Sequence, residues 1–110
     1  ELKIKFIDYF NGKQVRFDEA LDLSDSTDFD RRVYSIVSTI PRGEVRSYTW
    51  VAKRIGDNQA KRAVGQALSR NKLPIVIPCH RVVSKSGDIG GYTFGVSMKR
   101  LLLKIEGRMW

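Results

Sequence analysis

The stretch "TWVAKRIGDNQAKRAVGQALSRN", residues 49–71, decides the fold. Its first eight residues make a helix of one to two turns, and Gly56 can end it in the left-handed conformation that other residues resist. Asp57 or Asn58 is suited to cap a second helix over residues 58–71. There Ala60, Ala63, Val64, Ala67 and Leu68 share one face, while Lys61, Arg62, Gln66, Ser69 and Arg70 lie largely away from it. Two short helices about a tight glycine-containing turn, the second presenting Arg and Gln outward, predict a helix-turn-helix.

Upstream, Phe29, Val33, Ile36, Val37 and Ile40 recur at three and four residues, so an amphipathic helix should run to Pro41. "EVRSY" alternates like a short extended piece. Residues 19–30 read as an acidic connector whose Ser/Thr/Asp cluster can cap a helix. The opening "ELKIKFIDYFNGK" fits a short strand or a helix ending at Asn11-Gly12. Downstream, "PIVIP" is a β-branched run that predicts a short buried strand delivering Cys79 to its end. "SKSGDIGGY" is a glycine-rich loop. In "GVSMKRLLLKIEG", Met98, Leu101, Leu102 and Ile105 give a helical stripe, with Gly107 as its stop. The expectation is one mainly α (α+β) domain with short strands, and no internal repeats.

At 110 residues and 42% apolar content the chain can bury a modest single core. No apolar run approaches the roughly 18 residues of a membrane span, and a soluble, cytoplasmic protein (nuclear in a eukaryote) with no membrane partner is expected. Net charge is +8, unevenly placed: residues 1–30 hold 4 Lys/Arg against 8 Asp/Glu, and residues 31–110 hold 16 against 4. Such a basic excess favours a polyanionic partner through counterion release, although a solubilising surface has the same signature.

The only cysteine, Cys79, stands beside the only histidine, His80. One Cys and one His fall short of the four ligands of a structural zinc site, so no metal is expected. A free Cys is most often buried filler. Here His80 can take the thiol proton and Arg81 adds positive potential favouring the thiolate, which makes a nucleophile chemically available. Neighbours in an extended chain point to opposite sides, so the two should meet through a turn or a bridging water. Of the four acids after residue 30, Glu106 sits where a helix C-terminus disfavours negative charge. It either orients His80 or is an exposed bystander.

"IPCHRVV", with "RAVGQALSRN" before it and "GGYTFG" and "LLLKIEG" after it, resembles the O6-alkylguanine-DNA alkyltransferase family over residues 29–107. "IDYFNGKQVRF" resembles the end of that family's N-terminal domain, most of which does not precede it here. The resemblance implies a winged-helix-like alkyltransferase domain over residues 29–110, after a short N-terminal segment, residues 1–28. It implies a monomer without cofactor that acts once on double-stranded DNA containing O6-alkylguanine. Cys79 would accept the alkyl group, activated through water by His80, which Glu106 orients, and Tyr48 would protonate guanine N3.

Further roles follow from the same likeness. Arg62 would fill the stack left by the flipped base, while Ala60, Ala63 and Gly65 would allow close approach to the minor groove. Tight helix packing is the competing motive for Gly65. Lys61 would add a phosphate contact and Arg81 would sit on the DNA side of the site. Ser47, Thr93 and Asn71 would support the pocket, with Asn71 holding the hinge between recognition helix and active-site strand. Tyr92 would stack on the base, and the backbone near Val82 and Thr93 would read its edge. A bulky Phe94 would narrow the pocket and favour methyl over benzyl adducts. A non-catalytic alkyltransferase-like damage binder, and a plain helix-turn-helix regulator with a structural Cys79, are the alternatives; the former group typically has Trp in place of Cys79.

Overall fold

A computed structural model describes residues 2–17, 23–86 and 88–108. Its elements run α1 (Leu2–Phe10), α2 (Asp28–Val37), β1 (Arg46–Ser47), α3 (Tyr48–Ile55), α4 (Lys61–Ser69), a 3-10 turn (Cys79–Arg81), β2 (Val82–Val83) and α5 (Val96–Ile105). The chain is mainly helical, with one two-stranded parallel pairing of Arg46 with Val82 and Ser47 with Val83. Among the described residues no helix is long and apolar enough to cross a membrane.

Helices α2, α3 and α4 pack on one another around Val33, Val37, Val51, Ala52, Val64 and Ala67, which are all fully buried. Burying each valine contributes roughly 1.5–3 kcal/mol. Polar ties fix the angles between these helices. The Tyr34 hydroxyl donates to the Ala67 carbonyl at 2.8 Å, and Arg70 donates twice to the Asp30 carboxylate, at 2.6 and 3.1 Å. Thr27 caps α2 by accepting from Asp30 N, and Ser47 caps α3 by accepting from Trp50 N. Gly56 ends α3 at φ 101°, as its position predicts.

Three expectations are corrected. The second helix starts at Lys61 rather than Asn58, and its N-cap is Ala60, without a side-chain bond. Asp57 instead accepts from Gln59 N at 2.9 Å, closing its own turn, the usual competition of Asp with a cap role. "PIVIP" is a turn, not a strand: Ile75 takes φ 73° and a single bridge joins Pro74 to Ile77. That conformation costs a β-branched residue about 1–3 kcal/mol. It is held where Ile75 packs with Tyr9 and Leu102 in a second small core. In α5 the buried face is Lys99, Leu102 and Leu103, continued by the C-cap Glu106, whereas Met98 and Leu101 are exposed.

The opening segment is helix α1, turned at Asn11-Gly12, and Tyr9 seats it on α5 through Leu102. The acidic connector lies partly outside the described residues, as does Gly87 of the glycine-rich loop.

Candidate active site

Cys79 opens the 3-10 turn that follows the strained Ile75 turn, and it is 4% exposed. Asn71, just past the end of α4, knits this segment together. Its Nδ2 donates to the Ile77 carbonyl at 3.2 Å and to Cys79 Sγ at 3.0 Å, and its Oδ1 accepts from Leu73 N at 2.9 Å. Cys79 lines a cavity of about 340 Å³ with Tyr48, Gly65, Leu68, Ser69, Gly91, Tyr92 and Thr93. Burial pushes the thiol up to about 12, against help from Asn71 and Lys99. From an ordinary value of 9.0 that is about 4 kcal/mol against the thiolate. At rest the sulfur is therefore a neutral thiol.

His80 is fully buried, and its Nε2 lies 2.7 Å from Glu106 Oε2. Burial opposes charge on both groups. For Glu106, hydrogen bonds from His80, Arg81 and Tyr9 outweigh it and hold the carboxyl far below the usual carboxylate range. For His80, burial wins over Glu106, with Arg81 and Lys99 acting in the same sense, so the pKa falls and the ring is neutral. An ionised carboxylate only accepts, so Nε2 carries the proton and Nδ1 presents its lone pair. Nδ1 has no hydrogen-bond partner among the described residues. None of the hydrogen bonds there joins Cys79 directly to His80, so a proton passing between them needs a relay.

Tyr48 begins α3, and its hydroxyl lies 3.5 Å from the Gly91 carbonyl. Gly90, at φ 77°, makes this approach possible, since a Cβ there would stand 3.3 Å from that hydroxyl. Burial raises the Tyr48 pKa, so the phenol keeps its proton. Tyr92 is half-buried, with its hydroxyl unpartnered among the described residues, and its ring meets Phe94 edge-on at 5.4 Å. Thr93 donates to the Ser69 carbonyl at 3.0 Å, between the Cys79 cavity and a neighbouring one of about 450 Å³.

Beside the cavity a groove of about 380 Å³ is lined by Tyr48, Thr49, Lys61, Arg62, Gly65, Ser84 and Lys85. Tyr48 and Gly65 belong to both, so the cationic groove opens directly onto the Cys79 cavity. A Cβ on Gly65 would meet nothing within 4 Å, which removes tight helix packing as the reason for this glycine. Ala63 is half-buried, and Ala60 is buried against the helical core.

Four expected residues stand elsewhere or are otherwise engaged. Phe94 is 42% exposed and lines the neighbouring cavity, reaching the one that holds Cys79 only through its edge contact with Tyr92. Arg81 donates to both oxygens of Glu106, at 2.8 and 2.9 Å, and to the Ile40 carbonyl at 2.8 Å. Its charge is matched by Glu106 rather than turned toward the thiol. Ser47 is the α3 cap. The Val82 carbonyl already accepts from Lys99 Nζ at 2.7 Å.

Lys99 itself was not expected. It is fully buried and donates also to the Gly91 carbonyl at 3.0 Å, joining β2 to the loop that carries Tyr92. Burial lowers its pKa to about 8. Its signal lay in spacing: Lys99, Leu102, Leu103 and Glu106 form one helical face at offsets 0, 3, 4 and 7. Among the described residues no group of three or more His, Cys, Asp or Glu could hold a metal ion.

Residues 28–108 match the model of the 6-O-methylguanine DNA methyltransferase family's DNA-binding domain. The methylated-DNA–protein-cysteine methyltransferase of Mycobacterium tuberculosis H37Rv is 48% identical over 98 residues, 89% of this chain and 59% of that protein. This chain thus spans well under two thirds of that relative's length. Its fold superposes on the M. tuberculosis OGT crystallised with DNA at a TM-score of 0.90 and 45% identity, covering 96% of this chain and 63% of that one. Schizosaccharomyces pombe Atl1, solved with DNA containing O6-carboxymethylguanine, gives 0.64 and 30%, covering 81% and 80%. With its helix-turn-helix and its buried cysteine, histidine and glutamate in place, this chain belongs to the 6-O-methylguanine DNA methyltransferase family.

Proposed function

We propose that this chain is a single-turnover DNA repair alkyltransferase that moves the alkyl group of O6-alkylguanine onto Cys79. The observation that carries the reading is a cysteine sulfur in the wall of a base-sized cavity, with a neutral histidine and an ionised glutamate buried behind it. In the reaction a bond forms between Sγ and the alkyl carbon as the bond from that carbon to O6 breaks. The thiol proton passes through a bridging water to His80 Nδ1, and Glu106 stabilises the imidazolium. Guanine leaves as an anion, which Tyr48 protonates at N3; the imidazolium then releases its proton to solvent and Tyr48 takes one back, so the net change moves the thiol proton to guanine. No redox change occurs, and the thioether is not reversed.

The cationic groove accounts for delivery. Helix α4 would enter the minor groove, with Gly65 and Ala63 permitting close approach and Lys61 on a phosphate. Reaching O6 requires extruding the nucleotide, at a cost of a few kcal/mol, and Arg62 would occupy the gap. Tyr92 would stack on the extruded base. The names of the curated relatives and the DNA bound to the M. tuberculosis OGT support this reading. The work is done where DNA lies, in the cytoplasm or, in a nucleated cell, the nucleus.

The likeness to S. pombe Atl1 raises a binding-only role. The presence of Cys79 with His80 and Glu106 favours transfer. Cys79→Ser separates the two on a duplex carrying O6-methylguanine: it should retain lesion binding and lose all transfer. Undiminished demethylation by Cys79→Ser would sink the proposal.

A further inference from the structure

We propose that Tyr9, from α1 at the far end of the chain, is a positioning residue for this site: its hydroxyl holds Glu106 as acceptor of the His80 Nε2 proton and so keeps Nδ1 free for Cys79. The proposal rests on the reading of Cys79 as alkyl acceptor.

Tyr9 is 2% exposed, and its hydroxyl donates to Glu106 Oε2 at 2.6 Å. That single oxygen also accepts from His80 Nε2 at 2.7 Å and from Arg81 Nη2 at 2.9 Å, while Oε1 accepts from Arg81 Nε at 2.8 Å. The Tyr9 ring packs with Ile75 and Leu102. Arg42 lies over its face at 5.4 Å and fastens the segment by donating to the carbonyls of Gly12, Lys13 and Ile105, at 3.1, 2.9 and 3.0 Å. The N-terminal helix is thus bolted to the carboxylate end of α5.

Each donor to Oε2 stabilises the anion and lowers its pull on the next proton. With Tyr9 and Arg81 both donating, the shared proton stays on His80 and the neutral tautomer is fixed. The groups facing the pair all act in one sense: Tyr9 from α1, Arg42 from the turn after α2, Arg81 from the 3-10 turn and Lys99 from α5 are donors or cations. Glu106 is the anion, and Cys79 is a neutral thiol. Removing the Tyr9 hydroxyl gives His80 a larger share of the carboxylate, strengthens the Nε2–H bond and favours imidazolium.

The test is Tyr9→Phe, which keeps the ring, read by nitrogen and proton NMR of the chain's single histidine. The expected result is a downfield move of the His80 Nε2 proton and a His80 titration raised by at least about 0.5 pH unit. The acid limb of the single-turnover rate should move the same way. Should the variant not fold, the wild type carries the test through the Tyr9 hydroxyl proton, expected to be protected from exchange and to cross-relax with the His80 Nε2 proton. Unchanged His80 signals in Tyr9→Phe, or an unprotected Tyr9 hydroxyl, overturns the proposal. If neither protein transfers alkyl groups, the enzymatic reading fails, while the His80 signals still decide the role of Tyr9.

Discussion

Lys99 Nζ, fully buried, donates to the Val82 carbonyl at 2.7 Å, so an ammonium inside the core holds the active-site strand in place. Its pKa of about 8 lies below the ordinary 10.5, because burial disfavours the charge. Between these values the unfolded chain binds more protons than the folded one, and stability rises with pH through that window. The stability of wild type relative to Lys99→Met should therefore climb from pH 8 upward, as read by denaturant midpoints. A difference independent of pH would contradict a buried, charged Lys99.

Glu106 shows the same sense of dependence in an acidic window. Its carboxyl is held far below the usual range, so its contribution is present above the unfolded carboxylate pKa and fades as pH falls through the folded one. Glu106→Gln leaves Arg81 without its anion, and at neutral pH it should cost roughly 3–5 kcal/mol, the usual result of breaking a buried pair. The gap between the two proteins should shrink on acidification.

Gly65→Ala isolates the DNA contact. Nothing in the free protein stands within 4 Å of the added methyl, so stability should hold or rise by up to about 1 kcal/mol, the helix preference for Ala. Affinity for duplex DNA should nevertheless fall. Unchanged affinity would place the DNA backbone away from this part of α4.

Arg62→Ala should slow transfer on duplex roughly 10- to 100-fold, in line with the few kcal/mol of base extrusion. The same variant should react with free O6-methylguanine at close to the wild-type rate. Equal slowing on both substrates would count against a role in extrusion.

The sequence disclosed some of this arrangement and hid the rest for physical reasons. The α3–Gly56–α4 turn was legible because helical period and a left-handed glycine are local signals. Cys79 and His80 stood out as single residues side by side, and Glu106 as an acid at a basic helix end. The buried face of α5 was misplaced because an apolar stripe does not admit Lys99 and Glu106 as core members. "PIVIP" misled because its β-branched residues suit a strand, while tertiary packing forces Ile75 into a turn. Phe94 lines the neighbouring cavity, and the loop path after Gly91 has no periodicity from which its place could be read. The bond from Tyr9 to Glu106 spans 97 positions and leaves no local trace.

The central claim is covalent transfer to one sulfur. The most direct measurement is incubation with a duplex carrying O6-methylguanine, followed by proteolysis and mass spectrometry of the peptide containing Cys79. The account predicts a stoichiometric gain of one CH2 on Cys79, with unmodified guanine restored in the DNA. Tight lesion binding with Cys79 unmodified would contradict it and assign the chain to damage recognition alone.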